Sequence, residues 1–272
     1  MKKKLKNLLM LALIFILVGC KNNVNDEKGS VIMNGSTSME KLANSISEVF
    51  IEKYPDILVT AQFTGSSAGV EALSNGIVNI GNSSRKLKEK EIEKGIIENV
   101  VALDAIAVIT SPKNTVSNLT LDELRKIYNR TITNWKELGG EDMGIVVIGR
   151  ESGSGTRSTF ENILGLRDKC DYAQEIDSTG AVVGKVEYTK GAIGYVSLDV
   201  LHNSNAKILD IDGFAPTEKN IKDDNYKLYR PFIMATKGDI LSQKTEVQQV
   251  FKFLKSEEGK DMIRKIGLIN VD

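Results

Sequence analysis

Four short stretches of the chain place small hydroxyl residues beside glycine: Gly35-Ser36-Thr37-Ser38, Gly65-Ser66-Ser67-Ala68-Gly69, Gly81-Asn82-Ser83-Ser84-Arg85 and Gly153-Ser154-Gly155-Thr156. Each follows an apolar run, and at least three open what reads as a helix. The first N–H groups of a helix have no intrahelical partner, and its dipole puts roughly half a positive charge there. Glycine lets the backbone come close to a ligand, and Ser or Thr adds a donor aimed the same way. Several such ends converging on a cleft would make an oxyanion socket. Taken singly, each stretch is equally a set of helix caps. Four together, accompanied by arginines, point to a site.

Three charged residues belong to the same argument. Arg150 ends the run Ile145–Gly149, where a planar guanidinium could grip two oxygens of one anion or simply pair with Glu151. Arg85 directly follows Ser84 and carries the same two readings. Asp104 is an acid inside the apolar run Val100–Thr110, where a buried charge is costly without partners. It could salt-bridge an arginine. Alternatively it could accept a hydrogen bond from a protonated oxyanion, since a carboxylate can only accept. Phosphate near neutral pH keeps a hydroxyl and sulfate keeps none, so such an acceptor would penalise sulfate by a few kcal/mol.

Catalysis finds little support. The only histidine is His202, there is no nucleophile–base signature around Cys170 or any serine, and no carboxylate–histidine cluster has metal-ligand spacing. Gly149–Thr156 lacks the Gly-Lys-Ser/Thr ending of a phosphate-binding P-loop. The expectation is a binding protein with no metal or cofactor. Trp135 reads as packing, and the mixed-sign run Lys86–Lys94 as a solvated helix face.

The elements that must position these residues alternate between β-branched runs and amphipathic segments, the pattern of an α/β protein. Met39, Leu42, Ala43, Ile46, Val49, Phe50 and Tyr54 mark one helix face, with a capping box predicted at Thr37 and Glu40 and a stop at Pro55. A second capping box is predicted at Thr120 and Glu123. Strands are predicted at VIMNG, ILVTAQF, IVNIG, VVALDAIAVIT, IVVIG, GAIGYVSL, AKILDID and YRPFIMAT, helices at SSAGVEALSNG and SGTRSTFENIL, and terminal helices over 246–268. Two similar α/β sets with elements left over suggest two lobes and a ligand cleft between them.

The chain opens with a lysine-rich start, an apolar stretch from Leu8 to Val18, and Cys20. That is a secretory signal, too short for a permanent span of roughly 20 apolar residues. Leu17-Val18-Gly19-Cys20 resembles a lipobox, which implies an acylated Cys20 and a membrane anchor. The leader holds four lysines and no acid, so 36 basic against 36 acidic residues becomes 32 against 36 in the mature chain. A mildly acidic protein argues against a nucleic-acid partner, and any anion site must be built locally.

These residues resemble the phosphate-binding lipoprotein component of bacterial phosphate ABC transporters, over essentially all of residues 30–272. The resemblance is carried by GSTSM, GSSAG, IGNSSRKL, LDAIAVI, TITNWKELGG, RESGSGTR, GAIGYV and YRPFIMATKG. It implies a two-lobed periplasmic-binding-protein type II fold that closes over one phosphate and delivers it to a membrane permease, outside the cytoplasm and as a monomer. Carried over by motif position, the ligand groups would be Thr37, Ser38, Ser66, Ser84, Arg150, Ser154, Gly155 and Thr156, with Ser36 shaping the turn. Some family members carry an aspartate where this chain has Ser84, and that aspartate accepts the phosphate proton. The expectation here is that Asp104 supplies the acceptor instead and Arg85 an added anion contact. The expected division is a signal at 1–19, a lipidated tether at 20–30, one lobe at 31–108 and 226–272, and the other at 109–225, with crossings near Val108–Ser111 and Asn225–Pro231.

Overall fold

The structure, a computed structural model, describes residues 29–271; the signal, Cys20 and the tether through Lys28 lie outside them. In chain order the strands are β1 (Gly29–Gly35), β2 (Ile57–Gln62), β3 (Ile80–Ser83), β4 (Ile96–Ile97), β5 (Val100–Thr110), β6 (Asn118–Leu119), β7 (Val146–Arg150), β8 (Gln174–Ile176), β9 (Ala192–Ser197), β10 (Lys207–Ile208), β11 (Asp210–Ile211) and β12 (Tyr229–Lys237). The main path of the large sheet runs β2-β1-β3-β12-β5-β9-β7-β8. Pairing is parallel at each end, among β2, β1 and β3 and among β9, β7 and β8. It is antiparallel in the middle, where β12 lies between β3 and β5, and β5 pairs β9.

Strand β5 belongs to both halves. It pairs with β12 over Val100–Ala105 and with β9 over Ile106–Thr110. The chain returns at Leu228, whose carbonyl accepts from the Ile106 N–H at 2.7 Å. The exchange of partners therefore falls a few residues before Val108, because the apolar run continues straight into the second half and Val108 and Ile109 are already buried there.

Each half has its own apolar core. In one, Met33, Leu42 and Phe50 pack with Phe232 and Phe253. In the other, Tyr128, Trp135, Phe160, Tyr195 and Tyr226 meet. The Phe160 and Tyr195 rings stack at 4.0 Å, and the Trp135 indole N–H donates to the Gly191 carbonyl at 2.9 Å. Trp135 is thus a packing residue with its one polar atom satisfied.

The helices follow the predicted faces with one instructive difference. The Thr120–Glu123 capping box forms as expected, but Thr37 caps nothing. Ser36 instead accepts from the Ser38 N–H at 3.3 Å and opens a 3-10 turn over Thr37–Met39, after which the helix runs Glu40–Lys53. The reason is that the Thr37 hydroxyl is drawn across to the other half of the molecule. AKILDID also breaks into two short strands, β10 and β11.

Gly35 ends β1 at φ +148, and a Cβ there would lie 2.0 Å from the Asn82 carbonyl oxygen on neighbouring β3. Backbone cannot retreat within a paired sheet, so Gly35→Ala is expected to cost ~3 kcal/mol, read as a lower denaturant midpoint in chemical unfolding.

Candidate anion-binding site

The chain passes from strand to helix at the carboxyl ends of β1, β2 and β7, and Ser84 directly follows β3; ligands of open parallel sheets collect at such ends. These ends come from opposite halves and meet. Ser38 Oγ and Thr156 Oγ1 share a hydrogen bond at 2.9 Å, although 118 positions separate them. Ser36 Oγ donates to Ser84 Oγ at 2.8 Å, and Ser66 Oγ lies 3.3 Å from Ser84 Oγ. A Cβ on Gly155 would fall 2.4 Å from Ser66 Oγ and 2.6 Å from Ser84 Oγ, so the halves touch through a position only glycine can fill. Ser154, buried beside it, caps the helix Gly155–Leu164 by accepting from the Arg157 N–H at 3.3 Å.

Arg150 ends β7 at 1 % exposure. Its Nε and Nη2 donate to Glu151 at 2.9 and 3.0 Å and to the carbonyls of Ile176 and Asp177 at 3.0 and 3.2 Å. Its Nη1 donates to Thr179 Oγ1 at 3.0 Å. A guanidinium carries five N–H donors, so one Nη1 hydrogen is left over. Burial raises the Glu151 carboxyl, with Arg150 pulling it back.

Thr179, which the sequence reading did not single out, is the first residue of the helix Thr179–Tyr188 and is 1 % exposed. Its hydroxyl lies 2.9 Å from Thr37 Oγ1 and 3.1 Å from Ser38 Oγ, and its N–H donates to Thr37 Oγ1 at 3.2 Å. The signal was present: Ser178-Thr179-Gly180 repeats the small-hydroxyl-with-glycine composition in reversed order. Buried hydroxyls, a glycine gap and one guanidinium, paired to Glu151, come together from the two halves as a cluster rich in donors. A groove bordered by Lys86, Lys88 and Arg167 is lined by none of these clustered hydroxyls.

Comparisons with known proteins show the family. A PBP superfamily domain matches residues 22–258. The phosphate-binding protein PstS of Borreliella burgdorferi is 32% identical over 280 residues, covering 99% of each chain, and that of Bacillus subtilis is 33% identical over 97% of this chain and 92% of its own. The chain belongs to the PstS family of the PBP superfamily. A Clostridium perfringens structure described as a phosphate ABC transporter substrate-binding protein with bound phosphate superposes with a TM-score of 0.85 at 36% identity, over 90% of this chain and all of that one. An ABC-type phosphate transport receptor from Vibrio cholerae gives 0.74 at 32% identity over 89% of this chain and 100% of its own.

Two expected site residues are placed otherwise in this PstS family member. The Arg85 guanidinium is held by both Glu91 oxygens at 2.9 and 2.8 Å and also donates to the Lys86 carbonyl and Ser67 Oγ. It braces the loop after β3 and leaves the hydroxyl cluster untouched. Asp104 is buried, its Oδ2 accepting from Arg230 Nε and Nη2 at 3.0 and 2.8 Å, its Oδ1 from Ser197 Oγ at 2.7 Å, and the Leu198 N–H adding a fourth donor. A carboxylate has about four acceptor positions, so Asp104 has none to spare for an anion's proton. Burial pushes its carboxyl up, opposed by Arg230 and Ser197. Cys170, a half-buried free thiol, is likewise raised by burial, to about 11, and Cys20 lies outside the described residues.

Next to Asp104, Asp199 is 5 % exposed, and among the described residues neither of its carboxylate oxygens has a hydrogen-bond partner within normal distance. Burial and then the Asp104 charge push it up to about 7.

Asp104→Asn should lower stability by ~3 kcal/mol by leaving Arg230 buried without its counter-charge, while leaving any phosphate-over-sulfate preference unchanged in competition titrations. Asp199 holds a proton in the folded state between about pH 4 and pH 7 that the unfolded chain releases, so its contribution is lost as pH rises through about 7. Asp199→Asn should therefore flatten that loss and raise the melting midpoint at pH 8 by about 5 °C, with no gain near pH 4.

Proposed function

We propose that this chain captures inorganic phosphate outside the cytoplasmic membrane and hands it to an ABC-type permease, as a monomer anchored through lipid on Cys20. It binds and releases its ligand without turning it over. The observation that carries this reading is the convergence of Thr37, Ser38, Ser66 and Ser84 from one half on Arg150, Ser154, Gly155 and Thr156 from the other. These eight are the proposed phosphate ligands, the leftover Nη1 hydrogen of Arg150 being the charged donor among them. The PstS names of the relatives and the phosphate in the Clostridium perfringens structure support the same reading.

Closure follows from the division of the ligands. We take the two halves as lobes hinged where β5 and β12 cross between them. Phosphate held by one lobe completes its shell with donors of the other, so the closed state binds better and becomes populated. A permease can then read closure.

A receptor for sulfate is the second reading, and one observation favours it: with Asp104 engaged, the socket's acceptors are hydroxyl oxygens. Hydroxyls donate as readily as they accept. They would discriminate between the two anions less sharply than a carboxylate.

Calorimetric titration of the soluble form beginning at Lys21 should give tight, one-to-one phosphate binding, with sulfate weaker in competition. Arg150→Ala is expected to weaken phosphate binding at least 100-fold, since truncating a buried charged donor costs about 3 kcal/mol. Absence of heat with phosphate would overturn the assignment.

A further inference from the structure

Thr179 makes contacts that no other side chain in the site duplicates. Its hydroxyl reaches Arg150 on its own half and both Thr37 and Ser38 on the opposite one. At 1 % exposure none of these contacts is shared with solvent. The position is reinforced from behind, because Ser178 caps the same helix by accepting from the Ala181 N–H at 3.3 Å, which fixes where Thr179 begins.

The direction of the hydrogen bonds gives this arrangement a function. A guanidinium can only donate, so Thr179 Oγ1 must accept from Arg150 Nη1. Its own hydrogen is then available to Thr37 Oγ1 or Ser38 Oγ. Thr37 Oγ1 already accepts from the Thr179 N–H. Receiving the hydroxyl hydrogen as well fills both its lone pairs and leaves its own hydrogen as the only remaining capacity. A hydroxyl in that state is a committed donor, the role an oxyanion requires. The positive charge of Arg150 is thereby carried, through one hydroxyl, into the polarity of the opposite half.

Resting on the phosphate reading above, we propose that Thr179 is a positioning residue that latches the two lobes and sets Thr37 as a donor toward the bound anion. It acts through this hydroxyl and through Arg150. Because the latch exists only when the halves are together, its energetic effect belongs to the closed complex, and its loss should appear in the rate at which phosphate leaves.

The test uses three forms of the soluble chain: wild type, Thr179→Val, which keeps the shape and removes the hydroxyl, and Thr179→Ser, which keeps the hydroxyl and removes the methyl. Circular dichroism establishes that each is folded, calorimetry gives phosphate affinity, and exchange of radiolabelled phosphate gives the dissociation rate. The expected result is about tenfold weaker binding for the valine form, as for loss of one or two hydrogen bonds, carried mainly by faster dissociation, with the serine form within about threefold of wild type. Wild-type affinity in the valine form, or a serine form as weak as the valine form, overturns the latch while leaving phosphate binding intact. Failure of the wild type to bind phosphate would instead remove the functional reading and the latch with it.

Discussion

A buried guanidinium must be satisfied on every side, and the site is organised around meeting that requirement at Arg150. Leaving such a group unpaired in a low-dielectric interior is far more costly than any single contact gains. Glu151 and the carbonyls of Ile176 and Asp177 occupy its Nε and Nη2 hydrogens, and Thr179 takes one of the two on Nη1, leaving one Nη1 hydrogen over. The orientation of this guanidinium is therefore set by the protein itself, the kind of preorganisation that lowers the cost of binding where a group serves a ligand.

A second buried guanidinium, with its Nη1 left without a partner among the described residues, lies where the strands cross between the halves. Arg230 on β12 and Asp104 on β5 are both completely buried and neutralise each other, with Ser197 joining from β9. Placing an ion pair on two crossing strands restricts how they can shear past each other, because misalignment would expose two charges to an apolar interior. Asp199, wedged beside the pair, adds a proton-dependent element to that junction, and the Lys41 ammonium donates to its main-chain carbonyl at 3.2 Å from the opposite side. The strand junction thus carries a buried polar seam, with separate apolar clusters packed on either side.

Much of this was legible in the chain itself. The glycine-and-hydroxyl stretches marked the strand ends, the apolar periodicity located the helix faces, and the run through Val100–Thr110 read as a strand. Thr179 was not found, although Ser178-Thr179-Gly180 has the right composition, because the segment that follows, TGAVVGKVEY, mixes two glycines with β-branched residues and shows little one-sided periodicity. Arg85 and Asp104 were legible as charges but not as pairs. Their partners Glu91 and Arg230 lie 6 and 126 positions away, and spacing along the chain does not reveal which acid a given arginine will meet.

By itself, the order of residues determined the α/β class, most of the helix faces and the donor-rich composition of the strand ends, since these follow from local backbone preference, side-chain periodicity and the donor character of serine, threonine, glycine and arginine. Tertiary structure alone decided which donors face the hollow and which are consumed elsewhere. Hydroxyls and charges are short-range and promiscuous in their choice of partner, so their roles are set only when folding brings Thr37 to Thr179, Ser38 to Thr156 and Asp104 to Arg230.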